Sequence, residues 1–223
     1  MKGLLIILTS VVLVAAARAD TTVFDTFGPG DTYNAGLAYQ IGGGANNEEI
    51  AAQFTAGASG NLANVALGLT YFLGTNPAFR AVNVFLYGDA SGSPDNANQT
   101  PLGSTTPIAL FDGVTNNSVV SFSVAGTVPV TMGSLYYLVL KPTSLGTTDA
   151  WMLSSPVVTG ASFVSFNDST WVEGNSHILP AFRLTAVSTV PDSGGTILLM
   201  LCSSAALFLL RRVLQDERVQ PIK

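Results

Sequence analysis

The sequence LYYLVL at residues 135–140 is apolar at every position and contains two tyrosines and a valine. A run of six residues is short for a helix, and aromatic and β-branched side chains favour strands. A strand that is apolar on both of its faces is typical of the middle of a sheet that is covered on both sides. The stretch therefore predicts a central β-strand.

Alternating apolar and polar residues extend this prediction in both directions. Such alternation occurs at residues 50–54, 65–71, 82–86, 120–124 and 182–186. Clusters rich in Gly, Asn, Asp and Ser separate these runs, at residues 42–47, 88–98, 112–113, 116–117 and 146–149. No helical period longer than two turns occurs between the two ends of the chain. The pattern predicts an all-β domain of about eight to ten strands, a β-sandwich of jelly-roll type.

Charge is scarce, at 10% of the residues, and it is unevenly placed. The region from Asp20 to Val190 contains eight Asp and three Glu but only Arg80, Lys141 and Arg183 as basic residues, a net charge of −8. Binding to nucleic acid requires a cationic surface that this region lacks. We therefore expect no nucleic-acid partner.

The first 19 residues have the three parts of a secretory signal peptide. Lys2 supplies the positive start, residues 3–14 are apolar, and small residues end the segment at Ala17 and Ala19. Cleavage after Ala19 would leave Asp20 as the new N-terminus. We expect the secretion machinery and signal peptidase as partners, and residues 20–189 as the exported domain.

A second apolar run, at residues 197–210, ends at the basic pair Arg211 and Arg212. As a helix, these fourteen residues measure about 21 Å, somewhat less than the hydrocarbon core of a bilayer. The neighbouring residues and the arginines, which can reach the interface, bring the segment close to a full span. The sequence predicts a single transmembrane helix over about residues 196–210, with a basic cytoplasmic tail. Cys202, the only cysteine, lies inside this run, so no disulfide is expected in the exported domain.

A short turn motif precedes this helix: Val190, Pro191, Asp192, Ser193 and Gly194. Motif, apolar helix and basic stop together resemble the VPDSG-CTERM signal, a variant of the bacterial PEP-CTERM class. The resemblance covers residues 190–223 and implies processing by an exosortase, a membrane protease-transpeptidase. One departure is the tail from Val213 to Lys223, which is longer than is usual for such signals.

The exported region also resembles a known family, the choice-of-anchor R domain. The similar segments are FDTFGPGDTYN (residues 24–34), IGGG (41–44), AAQFTA (51–56), LYYLVL (135–140), the strand around Trp151 and PAFRLTAV (180–187). This resemblance spans roughly residues 22–187 and implies a bacterial surface domain that is attached to a C-terminal anchor. It implies no catalytic activity.

The sequence offers little for catalysis or metal binding. His177 is the only histidine, and no G-x-S-x-G motif is present for a serine hydrolase. One His and one Cys are too few ligands for a zinc site. Glu48, Glu49 and Glu173 leave paired-carboxylate glycoside hydrolysis formally open. We expect no enzyme, no cofactor and no metal.

Two weaker patterns leave alternatives open. Aspartates occur in predicted loops and could bind calcium, although solvated turn residues are the expected interpretation: Asp25, Asp31, Asp89, Asp95 and Asp112. Trp151 and Trp171, with Tyr33, Tyr39 and Tyr87, could form a surface that stacks on sugars, or could fill the core.

Together these patterns predict an exported, non-enzymatic protein of the cell surface or of the exopolysaccharide layer, with a structural or adhesive role. A carbohydrate-binding module for surface polysaccharide is the alternative.

Overall fold

The computed structural model describes residues 20–43, 47–72, 76, 79–114, 119–166, 169–174 and 176–187. Over these ranges the chain forms thirteen β-strands and no α-helix. The strands are β1 (Asp20–Asp25), β2 (Tyr33–Gly42), β3 (Glu48–Thr55), β4 (Gly60–Tyr71), β5 (Val82–Asp89), β6 (Pro94–Thr105), β7 (Val119–Ser123), β8 (Pro129–Val130), β9 (Leu135–Pro142), β10 (Thr148–Ser154), β11 (Ser162–Phe166), β12 (Val172–Glu173) and β13 (Phe182–Val187). The predicted all-β class is confirmed.

The strands pair antiparallel in two sheets. The seven-stranded sheet has the order β1-β13-β4-β10-β2, and β7 and β8 also pair with β4. Residues 64–67 of β4 pair with both β13 and β7, so β4 lies between these two strands. The six-stranded sheet has the order β12-β11-β3-β9-β5-β6.

The inner faces of the two sheets pack against each other and form a β-sandwich. Phe54 on β3 and Phe182 on β13 meet across the interface with their ring centroids 5.9 Å apart. Around them lie fully or almost fully buried side chains from both sheets, among them Ile50, Leu67, Leu69, Val84, Leu138, Leu140 and Leu184. Burying each such side chain stabilises the fold by about 1.5–3 kcal/mol. Packing of these faces is the main source of stability for this part of the chain.

The LYYLVL stretch forms most of β9 and lies between β3 and β5, as predicted. Leu138 and Leu140 point into the sandwich, whereas Tyr137 and Val139 lie on the opposite face. All four are 0% exposed. The strand is apolar on both faces because both of its faces are covered.

The prediction of one long turn over residues 88–98 is wrong. The turn is confined to residues 90–93, where Ser91 (φ 57°) and Gly92 (φ 93°) adopt the left-handed conformation. Pro94 already pairs with Asp89, and β6 continues from there as the last strand of its sheet. An edge strand tolerates the polar sequence DNANQ because its exposed side chains reach water.

Residues 148–149 likewise belong to strand β10 and not to the preceding turn. The strand pairs with β2 on one side and with β4 on the other, so its residues lie inside the sheet.

The first and last described residues lie side by side. Asp20 on β1 pairs with Val187 on β13, and residues from Asp20 to Val187 form one compact unit. The predicted signal peptide and the predicted sorting signal with its helix lie outside the described residues. In the ranges given above, no helix has the length and apolar character that crossing a bilayer requires.

Candidate functional site

Trp151 is 0% exposed and lies between the two sheets. Its ring packs against Phe182 with the centroids 5.8 Å apart, and its Nε1 donates a hydrogen bond of 3.1 Å to the carbonyl oxygen of Ala181. Trp151 is therefore a core residue: of the two alternatives left open by the sequence, it fills the core and does not offer a surface for stacking on a ligand. Its position on β10 directs it to the inner face, opposite to that of Ala150 and Met152.

The predicted set of aromatic residues is also divided between three places. Tyr33 is buried on the outer face of the seven-stranded sheet, with Met152. Tyr39 packs against the central core, and its hydroxyl group donates a hydrogen bond of 2.9 Å to the carbonyl oxygen of Ile178. Only Tyr87 comes together with Trp171.

Trp171 precedes the short strand β12 and is partly exposed. Its Nε1 donates a hydrogen bond of 2.7 Å to Oδ1 of Asn96 on β6. Asn96 in turn donates a hydrogen bond of 3.1 Å from Nδ2 to the carbonyl oxygen of Ser169. The indole ring meets the Tyr87 ring edge-on, with the centroids 6.0 Å apart and an angle of 86°. These contacts fix the orientation of the indole while part of it stays open to solvent.

Beneath Trp171 lies a small second core on the outer face of the six-stranded sheet. The buried members are Ala51, Tyr87, Tyr137, Val139 and Phe163, and Trp171 and Phe85 pack against them. The rings of Tyr137 and Phe163 meet edge-on at 5.5 Å. The outer face of an antiparallel sheet is commonly solvated, whereas here it supports a covered aromatic cluster.

Polar side chains surround this aromatic cluster. The Tyr87 hydroxyl group donates a hydrogen bond of 2.8 Å to Oε1 of Gln99, which also accepts one of 3.4 Å from Nζ of Lys141. The Tyr137 hydroxyl group donates to Oδ1 of Asp89 at 2.9 Å and accepts from Nε2 of Gln53 at 2.9 Å.

The environment of Tyr137 is also negative. Burial, together with the hydrogen bond to Asp89 and the negative charges of Asp89 and Glu173, raises the pKa of Tyr137 to about 12, against the effect of the Gln53 hydrogen bond. This phenol therefore stays protonated and acts as a hydrogen-bond donor at physiological pH.

We call the surface formed by Trp171, Asn96, Gln99, Asp89 and Glu173 the Trp171 face. Trp171 is partly exposed, and the other four residues are exposed. A fixed indole ring offers a flat apolar surface, and the amides and carboxylates around it offer donors and acceptors. Such a combination can bind a sugar ring, whose faces are apolar and whose edges carry hydroxyl groups.

Sequence reasoning identified Trp171 and Tyr87 but missed the polar part of this face. Asn96 lies in the stretch interpreted as a turn, so its place on a strand was not expected. Only the strand register brings Gln99 opposite Tyr87 and Glu173 opposite Phe163. The alternation of Phe85 and Tyr87 on β5 was the available signal for an aromatic outer face.

Three of the aspartates predicted to lie in loops accept local hydrogen bonds, but the loop prediction is wrong for two of them, because Asp89 ends β5 and Asp95 lies on β6. Asp89, Asp95 and Asp112 accept backbone N–H bonds of 2.9 Å from Gly92, Ala97 and Val114, respectively. These short-range contacts stabilise turns. In the described ranges, no three or more His, Cys, Asp or Glu side chains come together in a way that could hold a metal ion.

The other two aspartates of this set lie close to Arg183; Asp31 is in the β1–β2 connection, whereas Asp25 is the last residue of β1 and not a loop residue. Its guanidinium donates to Asp31 and lies 3.6 Å from Oδ2 of Asp25. His177 is exposed and lies in the connection that precedes β13.

Asp149 is the most unusual carboxyl group of the described chain. It is 0% exposed, and neither Oδ1 nor Oδ2 has a hydrogen-bond partner. Burial raises its pKa to about 8, although the positive charge of Arg80 acts in the opposite direction. At neutral pH most molecules therefore carry Asp149 in its protonated, uncharged form.

The remaining predicted site residues lie outside the described residues. They are Ala17 and Ala19 of the signal cleavage site, Val190, Pro191, Asp192, Ser193 and Gly194 of the sorting motif, and the basic pair Arg211 and Arg212.

The chain matches no protein-family model, and no curated protein matches it in sequence. Among solved structures it is similar to the cysteine protease and lectin-like domains of Cwp84, a surface layer associated protein of Clostridium difficile, with 14% identity and a TM-score of 0.44 over 65% of this chain and 33% of that chain. It is also similar to the clostridial cysteine protease Cwp84 after propeptide cleavage, with 16% identity and a TM-score of 0.46 over 69% of this chain and 38% of that chain. The chain thus spans little more than a third of the length of these structures.

Proposed function

We propose that this protein is an exported β-sandwich of jelly-roll type without catalytic activity, and that it is a structural or adhesive component of the cell surface or the exopolysaccharide layer. Support for export comes from the signal-peptide pattern of residues 1–19. Support for sorting by an exosortase comes from the VPDSG motif, the apolar run and the basic stop of residues 190–223. In this proposal the C-terminal helix anchors the protein in the membrane before processing.

The position of β13 supports the structural role most directly. This last described strand pairs with β1 on one side and with β4 on the other. The sorting motif begins three residues after Val187 in the sequence. In the sequence, the proposed anchor thus follows a strand that is hydrogen-bonded on both sides. This arrangement suits a domain that is attached to the membrane through its C-terminus.

A carbohydrate-binding function is the second candidate, and the Trp171 face is the observation that favours it. The indole is held by Asn96 and Tyr87 and keeps part of its ring open to solvent. Because its orientation is fixed before a ligand arrives, little conformational entropy would be lost on stacking against a sugar. An adhesive surface protein could use such a face to attach to polysaccharide.

Binding of the purified protein to isolated cell-surface polysaccharide tests both candidates. If the Trp171 face binds sugar, Trp171→Ala should abolish retention on the polysaccharide while the strand-rich circular dichroism spectrum is unchanged. Phe166→Ala is a matched control, because Phe166 is also an exposed aromatic residue near β12 but is not part of the face. Retention that survives Trp171→Ala would exclude the Trp171 face as the binding site, and no retention of the wild-type protein would leave only the structural role.

A further inference from the structure

Resting on the proposed carbohydrate binding, we propose that the Trp171 face prefers sugar chains that carry unacetylated amino groups over neutral chains and over chains of uronic acids. The proposal concerns the chemical class of the ligand, and Asp89 and Glu173 are the residues that determine it.

Two carboxylates lie beside the aromatic part of the face. Asp89 ends β5 and uses Oδ1 to accept hydrogen bonds from the Tyr137 hydroxyl group and the Gly92 N–H. Glu173 pairs with Phe163 in the register of β12 and β11, and both acids are exposed. The pKa of the buried Tyr137 is raised by the charge of each of them, so both act on the same small region.

The nearby cation does not present its charge to solvent. Lys141 is 7% exposed, and its Nζ lies 4.9 Å from the ring centroid of Phe85 and 5.3 Å from that of Tyr87. Its ammonium group therefore lies against the aromatic rings of the second core, where it also donates to Gln99. The solvent-facing part of the Trp171 face has two carboxylates and no basic residue.

The net charge of the exported region acts in the same direction. From Asp20 to Val190, eleven acidic residues stand against three basic ones. A uronic acid chain would approach an acidic domain and meet two further carboxylates at the face. Such repulsion decreases with salt, and the contribution of the closest charges is the least screened.

A protonated amino group would be attracted to this face in two ways. It can form charge-assisted hydrogen bonds with the carboxylates of Asp89 and Glu173. It can also lie over the Trp171 ring, since indole is the best aromatic partner for a cation. An N-acetyl group keeps the stacking but loses both charge effects.

Titration calorimetry of the full chain in a mild detergent tests this preference. The probes are chitosan oligosaccharides, fully N-acetylated oligosaccharides of equal length and oligoglucuronate, in a mildly acidic buffer in which the free amines are protonated. We expect chitosan to bind about tenfold more tightly than its N-acetylated counterpart, since two surface ion pairs contribute modestly. We expect the difference to shrink at high salt and oligoglucuronate to bind most weakly.

Variants identify the residues responsible. The double variant Asp89→Asn with Glu173→Gln should remove most of the preference for chitosan and leave only the part that the Trp171 ring contributes. Asp112→Asn is the matched control, because Asp112 is an acid in a loop outside the face, and it should retain the full preference. A preference that persists undiminished in the double variant, or that disappears in the control, would overturn the assignment to these two carboxylates.

The remaining outcomes separate this inference from the function on which it rests. Equal binding of both chitosan and N-acetylated chains overturns the inference and leaves carbohydrate binding in place. No binding of any sugar chain by the folded wild-type protein overturns both.

Discussion

Arg183 on the last strand holds Asp31 of the β1–β2 connection by two parallel hydrogen bonds, Nη1 to Oδ1 at 2.7 Å and Nη2 to Oδ2 at 3.1 Å. Asp31 adopts a positive φ of 60°, which is unusual for a residue other than glycine. The Arg183 hydrogen bond and charge hold the pKa of Asp31 below its ordinary value, although burial opposes them. The β1–β2 connection is thus held against β13. This strand pairs with β1 in the sheet, although it is the last described strand in the sequence.

Arg183→Lys should destabilise the domain, because lysine cannot form the bidentate pair of hydrogen bonds with Asp31. The expected loss is at most about 1 kcal/mol, since both side chains are partly exposed and solvent screens the pair. Because the pKa of Asp31 is depressed in the folded state, its contribution is present above pH 3.8 and is lost as the pH falls below that value. Urea unfolding at neutral and at acidic pH measures both effects. An equal loss for Arg183→Lys at both pH values would contradict the ion-pair explanation.

Asp149 should make the domain less stable as the pH rises, which is the opposite of the effect of Asp31. Its pKa is raised from 3.8 to about 8 in the folded state, so its contribution is fully present below pH 3.8 and is lost as the pH rises to about 8. Asp149→Asn should therefore flatten the decline of the melting temperature over this range. Differential scanning calorimetry in a series of buffers measures the slope. Asp95→Asn, an acid in an edge strand, is the control and should leave the slope unchanged; a parallel decline in both variants would contradict the role of Asp149.

The two tryptophans should differ strongly in their effect on stability. Trp151→Ala removes a 0% exposed ring between the sheets and should cost about 3–5 kcal/mol. Trp171→Ala removes a partly exposed ring and one hydrogen bond to Asn96, so we expect a loss of about 1–2 kcal/mol. Guanidinium unfolding followed by tryptophan fluorescence gives both free energies. Losses of equal size would show that the two environments are alike, contrary to the fold described above.

Residues 20–189, expressed without either end, should be soluble, monomeric and rich in strand by circular dichroism. Cys202 lies outside this fragment, so reductant should not change the melting temperature. Added chelator should change it little, since the aspartates predicted to lie in loops accept backbone hydrogen bonds or lie against Arg183. A large decrease of the melting temperature in chelator would instead reveal a bound cation.

The sorting motif should control processing of the C-terminus. Replacing Pro191 and Asp192 by alanine removes the fixed φ and the turn-forming carboxylate. It allows the predicted helix to extend at its N-terminal end into the motif. A longer, membrane-bound form should then accumulate at the expense of a shorter exported form. Ser188→Ala, just before the motif, is the control. Mass spectrometry of the C-terminus decides the question, because a mature chain that still ends at Lys223 in cells with an exosortase would mean that the tail is a permanent anchor.

Much of the fold could be predicted because burial on one face leaves an alternating pattern in the sequence. The strands around Leu67, Val84 and Leu184 all show it, and β9 was predicted to be central because it is apolar on both faces. β6 was missed, since its residues 96–99 are all exposed and an edge strand that is exposed on both faces leaves no such pattern. The first residues of β6 were interpreted as part of a turn because their polar composition is typical of turns.

The candidate site could be predicted only in part, because a side chain's surroundings depend on strands distant in sequence. Trp151 follows the sequence TTDA and Trp171 follows NDST, so the two look alike in sequence. Their difference arises because β10 lies between two strands of the sandwich, whereas β12 pairs with β11 alone. The buried Asp149 was assigned to a turn for a similar reason, since nothing near it in sequence reveals that β2 and β4 enclose it.

The pairing of β13 with both β1 and β4 has a mechanical consequence. If a tether attached beyond Val187 pulls along β13 while a ligand holds the far side of the domain, the hydrogen bonds to both neighbours are loaded in shear and must break together. If instead Asp20 and Val187 are pulled apart, their pairing at the open end of the β1–β13 ladder lets the bonds break one at a time. The domain would thus resist a larger force when it is attached through its C-terminus alone than when it is pulled at both ends.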